Sequence, residues 1–315
     1  MTAVVEARGL VKTYGDITAV DHVDLTVEPG DVYGYLGPNG AGKTTSLRML
    51  LGLIRPSGGS SRLFGRDPMI DGVRALDGVA GFVEAPRFYP YLSGRKNLEL
   101  VAALDGGDAR SQIDAALDTV DLAARANDRV RGYSHGMRQR LGIAGALIRR
   151  PQLLLLDEPA TGLDPAGMRD MRALIRSLAD SGITVLLSSH LMNEVEELCN
   201  RVAIIRAGRI VYEGGLDELR ASAAGSYTLR TSDDALAAQI CATHPGLHEF
   251  TVRPDGLRMR ADEAAIEALS LELAGAGVAL RSLVPDAASL EERFFALTED
   301  TEPAPAPVPE LERVA

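Results

Sequence analysis

Short apolar runs separated by turn-rich segments dominate the first two thirds of the chain. Runs of this length that are rich in valine, isoleucine and leucine predict β-strands, and runs without polar alternation predict parallel strands that are buried on both faces. The segment 55–67 between two of these runs is rich in glycine, serine and proline and predicts turns. The predicted strands cover residues 3–8, 23–28, 32–36, a stretch ending near Glu84, 153–157 and 183–189.

Helical periodicity replaces these runs in two parts of the chain. Between about residues 86 and 150 the apolar positions predict helices over 92–104, 111–120 and 136–148, which would form an inserted helical lobe. Beyond residue 219 short strand-like runs appear again. Strands, helices and one tight turn follow in the order β-α-β-β-α-β over about 226–298, with a last helix over 289–297. This order predicts a small C-terminal α+β accessory domain of ferredoxin-like type, followed by a disordered Pro- and Ala-rich tail at 301–315.

Composition limits the classes of protein that fit. A chain of 315 residues with 46% apolar content predicts two globular domains, and no stretch or N-terminal leader predicts membrane insertion or secretion. Two isolated cysteines, Cys199 and Cys241, suggest neither a disulfide framework nor a metal cluster. Residues 221–315 hold 7 basic and 16 acidic side chains, out of a net charge of −11 for the chain. This balance argues against nucleic acid as the partner.

The sequence GPNGAGKTT, residues 37–45, lies between a predicted strand and a predicted helix. In this context the glycines allow backbone N–H groups to turn toward an anion, and the helix N-terminus adds its dipole. Lys43 would neutralise nucleotide phosphates and Thr44 would bind Mg²⁺, so we expect a nucleotide and Mg²⁺ as cofactors. A simple glycine turn is the alternative. The fold class that follows is α/β, a P-loop core with a mixed sheet and an inserted helical lobe. The predicted loop residues are Gly37, Pro38, Asn39, Gly40, Ala41, Gly42, Lys43, Thr44 and Thr45.

Polar residues follow two of the buried strands. Asp157 ends the run LLLLD and would hold Mg²⁺, while Glu158 could polarise the water that attacks the γ-phosphate. His190 follows the next strand and could contact the same phosphate. A helix cap formed by the two carboxylates and a structural histidine are the alternatives.

A second anion site is predicted at residues 133–137, the sequence YSHGM. Ser134, Gly136 and the N-terminus of the following helix could bind phosphate, although the chain already has its own phosphate loop. The economical explanation is that this segment serves the nucleotide of a partner subunit. Tyr14, predicted to lie on a loop, could stack on a purine base or could be an ordinary surface residue.

These motifs in this order resemble the nucleotide-binding subunit of an ATP-binding cassette (ABC) transporter over roughly residues 1–220. The resemblance implies that 37–45 is the Walker A loop, 133–137 the signature and 153–157 Walker B. It also implies that Glu158 is the catalytic base, His190 the switch histidine and Asp164 the last residue of the D-loop. Two subunits would then close head to tail, as a homodimer or as a pair of similar subunits, with Lys43 and Glu158 of one chain facing Ser134 and Gly136 of the other.

Two departures from the usual family pattern narrow the resemblance. His135 stands at the third position of the signature, where glycine is usual, and Glu84 stands where glutamine is usual and would be a Mg²⁺ ligand. A glutamate there resembles the bacitracin- and lantibiotic-type exporters. Aromatic residues near it, between Phe82 and Tyr91, suggest a docking surface for a membrane permease or else local packing.

The expected function is therefore that of an exporter ATPase for drugs or antimicrobial peptides, held at the cytoplasmic face of the membrane by its permease. One alternative is an importer ATPase, against which Glu84 argues. Another is a soluble cassette ATPase that acts on ribosomes or DNA, against which the single phosphate loop and the acidic C-terminal part argue.

Overall fold

The computed structural model describes residues 2–105, 108–223, 225–254 and 256–286. The chain forms two compact units, a larger one that ends at Leu216 and a smaller one that begins at Asp217. The strands of the larger unit are β1 (Val5–Tyr14), β2 (Ile17–Val27), β3 (Val32–Leu36), β4 (Gly58–Leu63), β5 (Val79–Phe82), β6 (Leu153–Asp157), β7 (Thr184–Ser189), β8 (Arg201–Arg206) and β9 (Arg209–Gly215). Its helices are α1 (Lys43–Leu50), α2 (Pro68–Asp71), α3 (Gly94–Asp105), α4 (Ile113–Thr119), α5 (His135–Leu147), α6 (Pro165–Asp180) and α7 (Met192–Leu198).

A six-stranded mixed sheet forms the centre of the larger unit, in the order β5-β6-β7-β3-β8-β9. All neighbouring strands are parallel except β9, which runs antiparallel to β8. Every residue of β6 and β7 is buried, which explains the consecutive apolar residues 153–156 and 185–187 within them. The register places Leu36 beside Ser189 and Asp157 beside Ser188. The carboxyl ends of β3, β6 and β7 therefore meet at one edge, and the residues that follow them are brought together there.

A separate antiparallel sheet, β2-β1-β4, contains Tyr14 at the end of β1. The prediction of short strands at 3–8 and 23–28 with a loop between them was wrong, because β1 and β2 continue into a tight hairpin in which Tyr14 pairs with Ile17. Register shifts interrupt the pairing between Ala7 and Thr13, so the alternation of apolar and polar residues is lost there. β1 and β2 are consequently longer than the strands that the sequence pattern predicts.

The helical lobe agrees with its prediction. Helices α3, α4 and α5 begin and end within two residues of the predicted limits, and a 3₁₀ turn over Ala109–Gln112 precedes α4. Leu98, Leu117 and Leu141, one from each helix, are fully buried in the lobe. The lobe thus has an apolar interior to which all three helices contribute.

The smaller unit is a four-stranded antiparallel sheet with two helices. Its strand order, β11-β12-β10-β13, is that of a ferredoxin-like fold, and its elements follow the predicted β-α-β-β-α-β sequence. Cys241 is buried in this unit and Cys199 in the larger one; both are free thiols. Helix α8 (Leu216–Ala223) begins at the last residue of the larger unit and precedes the sheet. The elements that follow are β10 (Ser226–Thr231), α9 (Asp234–Thr243), β11 (Leu247–Arg253), β12 (Gly256–Ala261), α10 (Glu263–Gly275) and β13 (Leu280–Asp286).

Two predicted features of the C-terminal part, the helix at 289–297 and the tail at 301–315, lie outside the described residues. Within the described ranges, none of the helices combines the length and the apolar character that crossing a lipid bilayer requires.

Candidate functional site

The loop between β3 and α1 is shaped by its glycines. A Cβ atom on Gly37 would lie 2.4 Å from the carbonyl oxygen of Ile205, and one on Gly42 would lie 2.5 Å from that of Ala19. Gly42 also has a φ of 106°, which favours glycine. Because no side chain caps the N-terminus of α1, its first N–H groups face the loop. This arrangement suits an anion.

Lys43, the first residue of α1, is only 5% exposed. Its Nζ atom donates to the carbonyl oxygens of Gly37 at 2.7 Å and Pro38 at 3.2 Å, and lies 3.1 Å from Oε1 of Glu158. The ammonium group therefore lies inside the loop, between the loop backbone and Glu158, the residue that follows β6. A buried ammonium group is stable only with such partners.

Asp157 connects three parts of the site. Its Oδ1 accepts a hydrogen bond from Ser188 at 2.5 Å, and its Oδ2 accepts from the Thr44 hydroxyl at 3.0 Å and from the N–H of Glu84 at 3.2 Å. The Thr44 hydroxyl and the Asp157 carboxylate form a paired oxygen set of the kind Mg²⁺ prefers. No group of three or more His, Cys, Asp or Glu side chains in the described ranges could hold a metal without other ligands.

Glu158 directly follows β6 and has a φ of 51°, an uncommon value for a residue with a side chain. Its Oε2 accepts hydrogen bonds from the Thr161 hydroxyl at 2.6 Å and from Nδ1 of His190 at 2.5 Å. Burial alone would raise the pKa of Glu158, but the bond from Thr161, the charge of Lys43 and the bond from His190 together hold this pKa below its usual value. The carboxylate is therefore ionised at neutral pH, as a proton acceptor must be.

Two contact residues were missed by sequence reasoning. The Ser188 hydroxyl accepts from the N–H of Glu158 at 3.0 Å while it donates to Asp157, and Thr161 holds Glu158 from the other side. Ser188 could have been found from the sequence, because aligning the two buried runs as neighbouring parallel strands places it beside Asp157. Thr161 lies in a turn, and no pattern in the sequence indicates its hydroxyl bond.

A buried carboxylate, Glu194, supports the end of β7. The Ser189 hydroxyl donates to Oε2 of Glu194 at 2.6 Å, and the Ser189 carbonyl accepts from the N–H of Gly37 at 3.1 Å. The other oxygen of Glu194 is buried without a partner among the described residues. Burial raises the pKa of Glu194. Glu194 thus holds Ser189, which bonds the phosphate loop through Gly37 and directly precedes His190.

Glu84 lies next to the site, but its side chain is directed elsewhere. Its N–H group contacts Asp157, whereas its carboxylate, 57% exposed, forms an ion pair with Arg48 of α1. Its φ of 68° is also uncommon for a side-chain-bearing residue. Sequence reasoning selected Glu84 but did not identify Arg48 as its partner.

The segment 133–137 lies at the start of α5, where Ser134 is the N-cap and its hydroxyl accepts from the N–H of Met137 at 3.2 Å. Gly136 lies close to Leu163, and Nε2 of His135 is 3.0 Å from the carbonyl oxygen of Thr161. These residues and Asp164, the N-cap of α6, line a groove of about 480 Å³.

The remaining predicted nucleotide contacts are spread around the loop. Pro38, Asn39 and Gly40 form its exposed tip, and Ala41 is buried while Thr45 is half-buried. Tyr14 is also half-buried, and the ammonium group of Lys12 lies 5.0 Å from the centre of its ring. One face of Tyr14 is therefore already occupied by a cation.

Comparison with known proteins agrees with this geometry. Residues 20–161 match the family model described as ABC transporter. The chain is 40% identical to the bacitracin transport ATP-binding protein BcrA of Bacillus licheniformis, over 82% of this chain and 84% of that protein. It is 38% identical to the daunorubicin/doxorubicin resistance ATP-binding protein DrrA of Streptomyces peucetius, over 94% of this chain and 93% of that protein.

Solved structures give the same result. An ATP-binding subunit of an ABC transporter is similar with a TM-score of 0.62 and 27% identity, over 70% of this chain and 93% of that one. A dimeric ATP-binding cassette in a post-hydrolysis state with ADP and Pi has a TM-score of 0.61 and 25% identity, over 67% and 98%. The site, the relatives and the shared fold together show that this chain belongs to the ATP-binding subunits of ABC transporters and is an ATPase.

Proposed function

We propose that the protein is the ATP-hydrolysing subunit of an exporter for drugs or peptide antibiotics, and that it acts on a separate membrane permease. The observation that carries the proposal is the convergence of Lys43, Asp157, Glu158 and His190 at one sheet edge. Similarity to the bacitracin transport and daunorubicin resistance proteins over most of the chain supports the cargo class. The permease would hold the protein at the cytoplasmic face of the membrane.

The site residues fit Mg²⁺-ATP. The loop backbone packs closely against Ile205 and Ala19 because Gly37 and Gly42 lack side chains, and Lys43 supplies a positive charge inside the loop. Thr44 and Asp157 provide the hydroxyl and carboxylate that would hold Mg²⁺, and this ion would supply charge neutralisation at the phosphates. Tyr14, at the end of its hairpin, would contact the base with its free face.

In the reaction, each residue has one part. The lowered pKa keeps Glu158 in the ionised form that would accept a proton from the attacking water, and Thr161 and His190 hold its carboxylate in place. Nδ1 of His190 donates to Glu158, so a hydrogen bond from Nε2 to a γ-phosphate oxygen would require the imidazolium form, in which both ring nitrogens donate. Lys43 would exchange its ion pair with Glu158 for phosphate oxygens.

Two chains would form each complete site. The α5 N-terminus at Ser134 and Gly136 is a second anion site, and together with Asp164 it lines its own groove. The phosphate loop of the same chain needs no second donor set. We therefore propose a head-to-tail pair of subunits, in which this groove covers the nucleotide held by the partner's phosphate loop.

A mixture of Lys43→Ala and Ser134→Ala chains tests the arrangement. Each mutant homodimer carries the same lesion at both sites, whereas a mixed dimer has one intact site and one doubly damaged site. ATPase activity should therefore be partly restored in mixed dimers, purified through two different affinity tags. Mixed dimers no more active than the separate mutants would contradict sharing of the sites. A mixture of Lys43→Ala and Glu158→Gln chains is the control. Both residues belong to the same half of a site, so each site of this mixed dimer carries one lesion and no activity should be restored.

The permease is proposed to dock near residues 84–91. Tyr89 and Tyr91 are 54% and 63% exposed, although their rings lie only 5.8 Å apart. Exposed aromatic pairs are favourable anchors for a partner. A Tyr89→Ser, Tyr91→Ser variant should lose most of the permease that co-purifies from detergent extract, while Leu104→Ser, at an even more exposed apolar residue of α3, should not. Co-purification of ribosomes or DNA in place of a membrane protein would contradict the exporter function.

Glu84 is proposed to contribute to Mg²⁺ binding once its carboxylate leaves Arg48. A carboxylate near the γ-phosphate is repelled in the absence of the metal but attracted to Mg²⁺ in its presence. Glu84→Gln should therefore make ATP affinity less dependent on Mg²⁺. The measurement is the ATP dissociation constant with and without Mg²⁺. Arg48→Gln is the matched variant: it frees the carboxylate and should increase the dependence. Equal Mg²⁺ dependence in all three proteins would exclude this role.

A further inference from the structure

His135 contacts the turn that holds the catalytic carboxylate. Its Nε2 atom lies 3.0 Å from the carbonyl oxygen of Thr161, 26 residues away. A carbonyl oxygen can only accept, so Nε2 carries the proton and donates. The usual glycine of the ABC signature could not make this bond, since it has no side chain.

The two segments also fit each other in shape. Gly162 has a φ of 77°, and a Cβ atom on it would lie 3.4 Å from Nε2 of His135. On the other side, a Cβ atom on Gly136 would lie 3.5 Å from Leu163. The imidazole ring therefore lies within contact distance of the backbone at Gly162, whose positive φ favours glycine, and residues 134–136 are packed against residues 161–163.

Thr161 transmits this contact to the site. Its hydroxyl donates to Oε2 of Glu158 at 2.6 Å, and its N–H donates to the carbonyl oxygen of Glu158 at 3.2 Å. The same residue is thus bound to His135 through its carbonyl and to Glu158 through its hydroxyl. A displacement of the Thr161 backbone would move the hydroxyl that orients the carboxylate.

We propose that His135 is a positioning residue for Glu158 of its own chain, acting through Thr161. This inference rests on the proposed function. Ser134 and Gly136, the neighbours of His135, would serve the nucleotide of the partner subunit. His135 instead contacts the turn that holds Glu158 of its own chain. The residue would thereby couple the surface that meets one nucleotide to the carboxylate that acts on the other.

Two replacements at His135 separate hydrogen bonding from size. Phe keeps the planar ring but has no donor, whereas the side-chain amide of Gln can place an N–H near the position of Nε2. His135→Phe should lower kcat about 2- to 10-fold, the effect of losing one neutral hydrogen bond, with KM for ATP unchanged. His135→Gln should restore most of the loss. Thr161→Val removes the hydroxyl from Glu158, and adding His135→Phe to it should cause no further loss.

Mixed dimers show in which chain His135 acts. One chain carries Ser134→Ala and keeps Lys43 and Glu158, and the other carries Lys43→Ala and keeps Ser134, so that one site is intact. His135→Phe in the first chain should lower kcat several-fold more than the same change in the second. All variants should keep the melting temperature of their parent, because the ring of His135 is exposed.

Several outcomes would overturn the proposal. Equal losses for the Phe and Gln variants, or a rise in KM without a fall in kcat, would show that His135 affects nucleotide binding by its bulk. A larger effect in the chain that supplies Ser134 would place its action on the partner's nucleotide. If the parent mixed dimer is inactive, the shared-site arrangement fails instead, and the kcat and KM values of the single-variant proteins decide the role of His135.

Discussion

Replacing Glu158 with Gln is expected to lower ATP turnover by about 100-fold or more while ATP still binds. General-base catalysis contributes on the order of 10² to 10⁴ in rate, and an amide cannot accept the proton. The geometry explains why binding survives. The amide oxygen can face Lys43, and the amide N–H groups can donate to Thr161 and His190, because a hydroxyl can reverse its direction and an imidazole can change its tautomer.

The measurement is steady-state ATP hydrolysis with the permease present, together with the ATP dissociation constant of the same protein. Glu99→Gln is a matched control, since Glu99 is a carboxylate that pairs with Lys96 on the surface of α3. Its turnover should equal that of the unchanged protein. Normal turnover in Glu158→Gln would exclude Glu158 as the catalytic base. A loss of ATP binding would show that the charge of Glu158 supports the phosphate loop.

Replacing Lys43 with Ala should weaken ATP binding about 10- to 100-fold, because a hydrogen bond to a charged group is worth about 1.5–3 kcal/mol. The change removes the only ammonium group within the loop. It also leaves Glu158 without its cation, so the pKa of Glu158 should rise toward its usual value, since the charge of Lys43 is one of the causes that lower it. Turnover should also fall at saturating ATP, because the charge that develops on the phosphates in the transition state loses its cation.

ATP titration and hydrolysis at several ATP concentrations separate the two effects. The chain has only three lysines, and Lys96→Ala provides the control because Lys96 is 62% exposed in its pair with Glu99. A Lys43→Ala protein with unchanged ATP affinity would mean that the backbone N–H groups and the helix dipole hold the phosphates without a cation.

Sequence reasoning identified the residues at the sheet edge because buried parallel strands have a simple signature. The run LLLLD has no polar residue before Asp157, so its end is visible, and the glycine loop fixes which edge is used. The hairpin of Tyr14 was misread because bulges interrupt its alternation. The contacts of Ser188 and Thr161 depend on register and on a turn conformation, which single-residue patterns do not contain.

Side-chain direction was the least predictable property. Glu84 was selected from its place in the chain, but its carboxylate is paired with Arg48, a residue of α1 that is 36 positions away in sequence. The inward direction of His135 likewise depends on the left-handed backbone of Gly162, which is only one of many glycines in the chain. Such choices are set by tertiary neighbours, and local sequence does not specify them.

The burial of Glu194 gives this edge of the sheet an unusual response to acidity. Since the pKa of Glu194 is raised on folding, its contribution to the free energy of unfolding is complete below the unfolded value near 4.5 and is lost as the pH rises through the folded value. Glu158 behaves oppositely, because its lowered pKa gives stability above 4.5 that is lost in acid. Glu194 lies on α7 and Glu158 follows β6, and their effects fall in adjacent pH ranges, one above pH 4.5 and the other below it. Together these two groups favour the folded state most near pH 4.5, and their combined contribution falls on both sides of that pH.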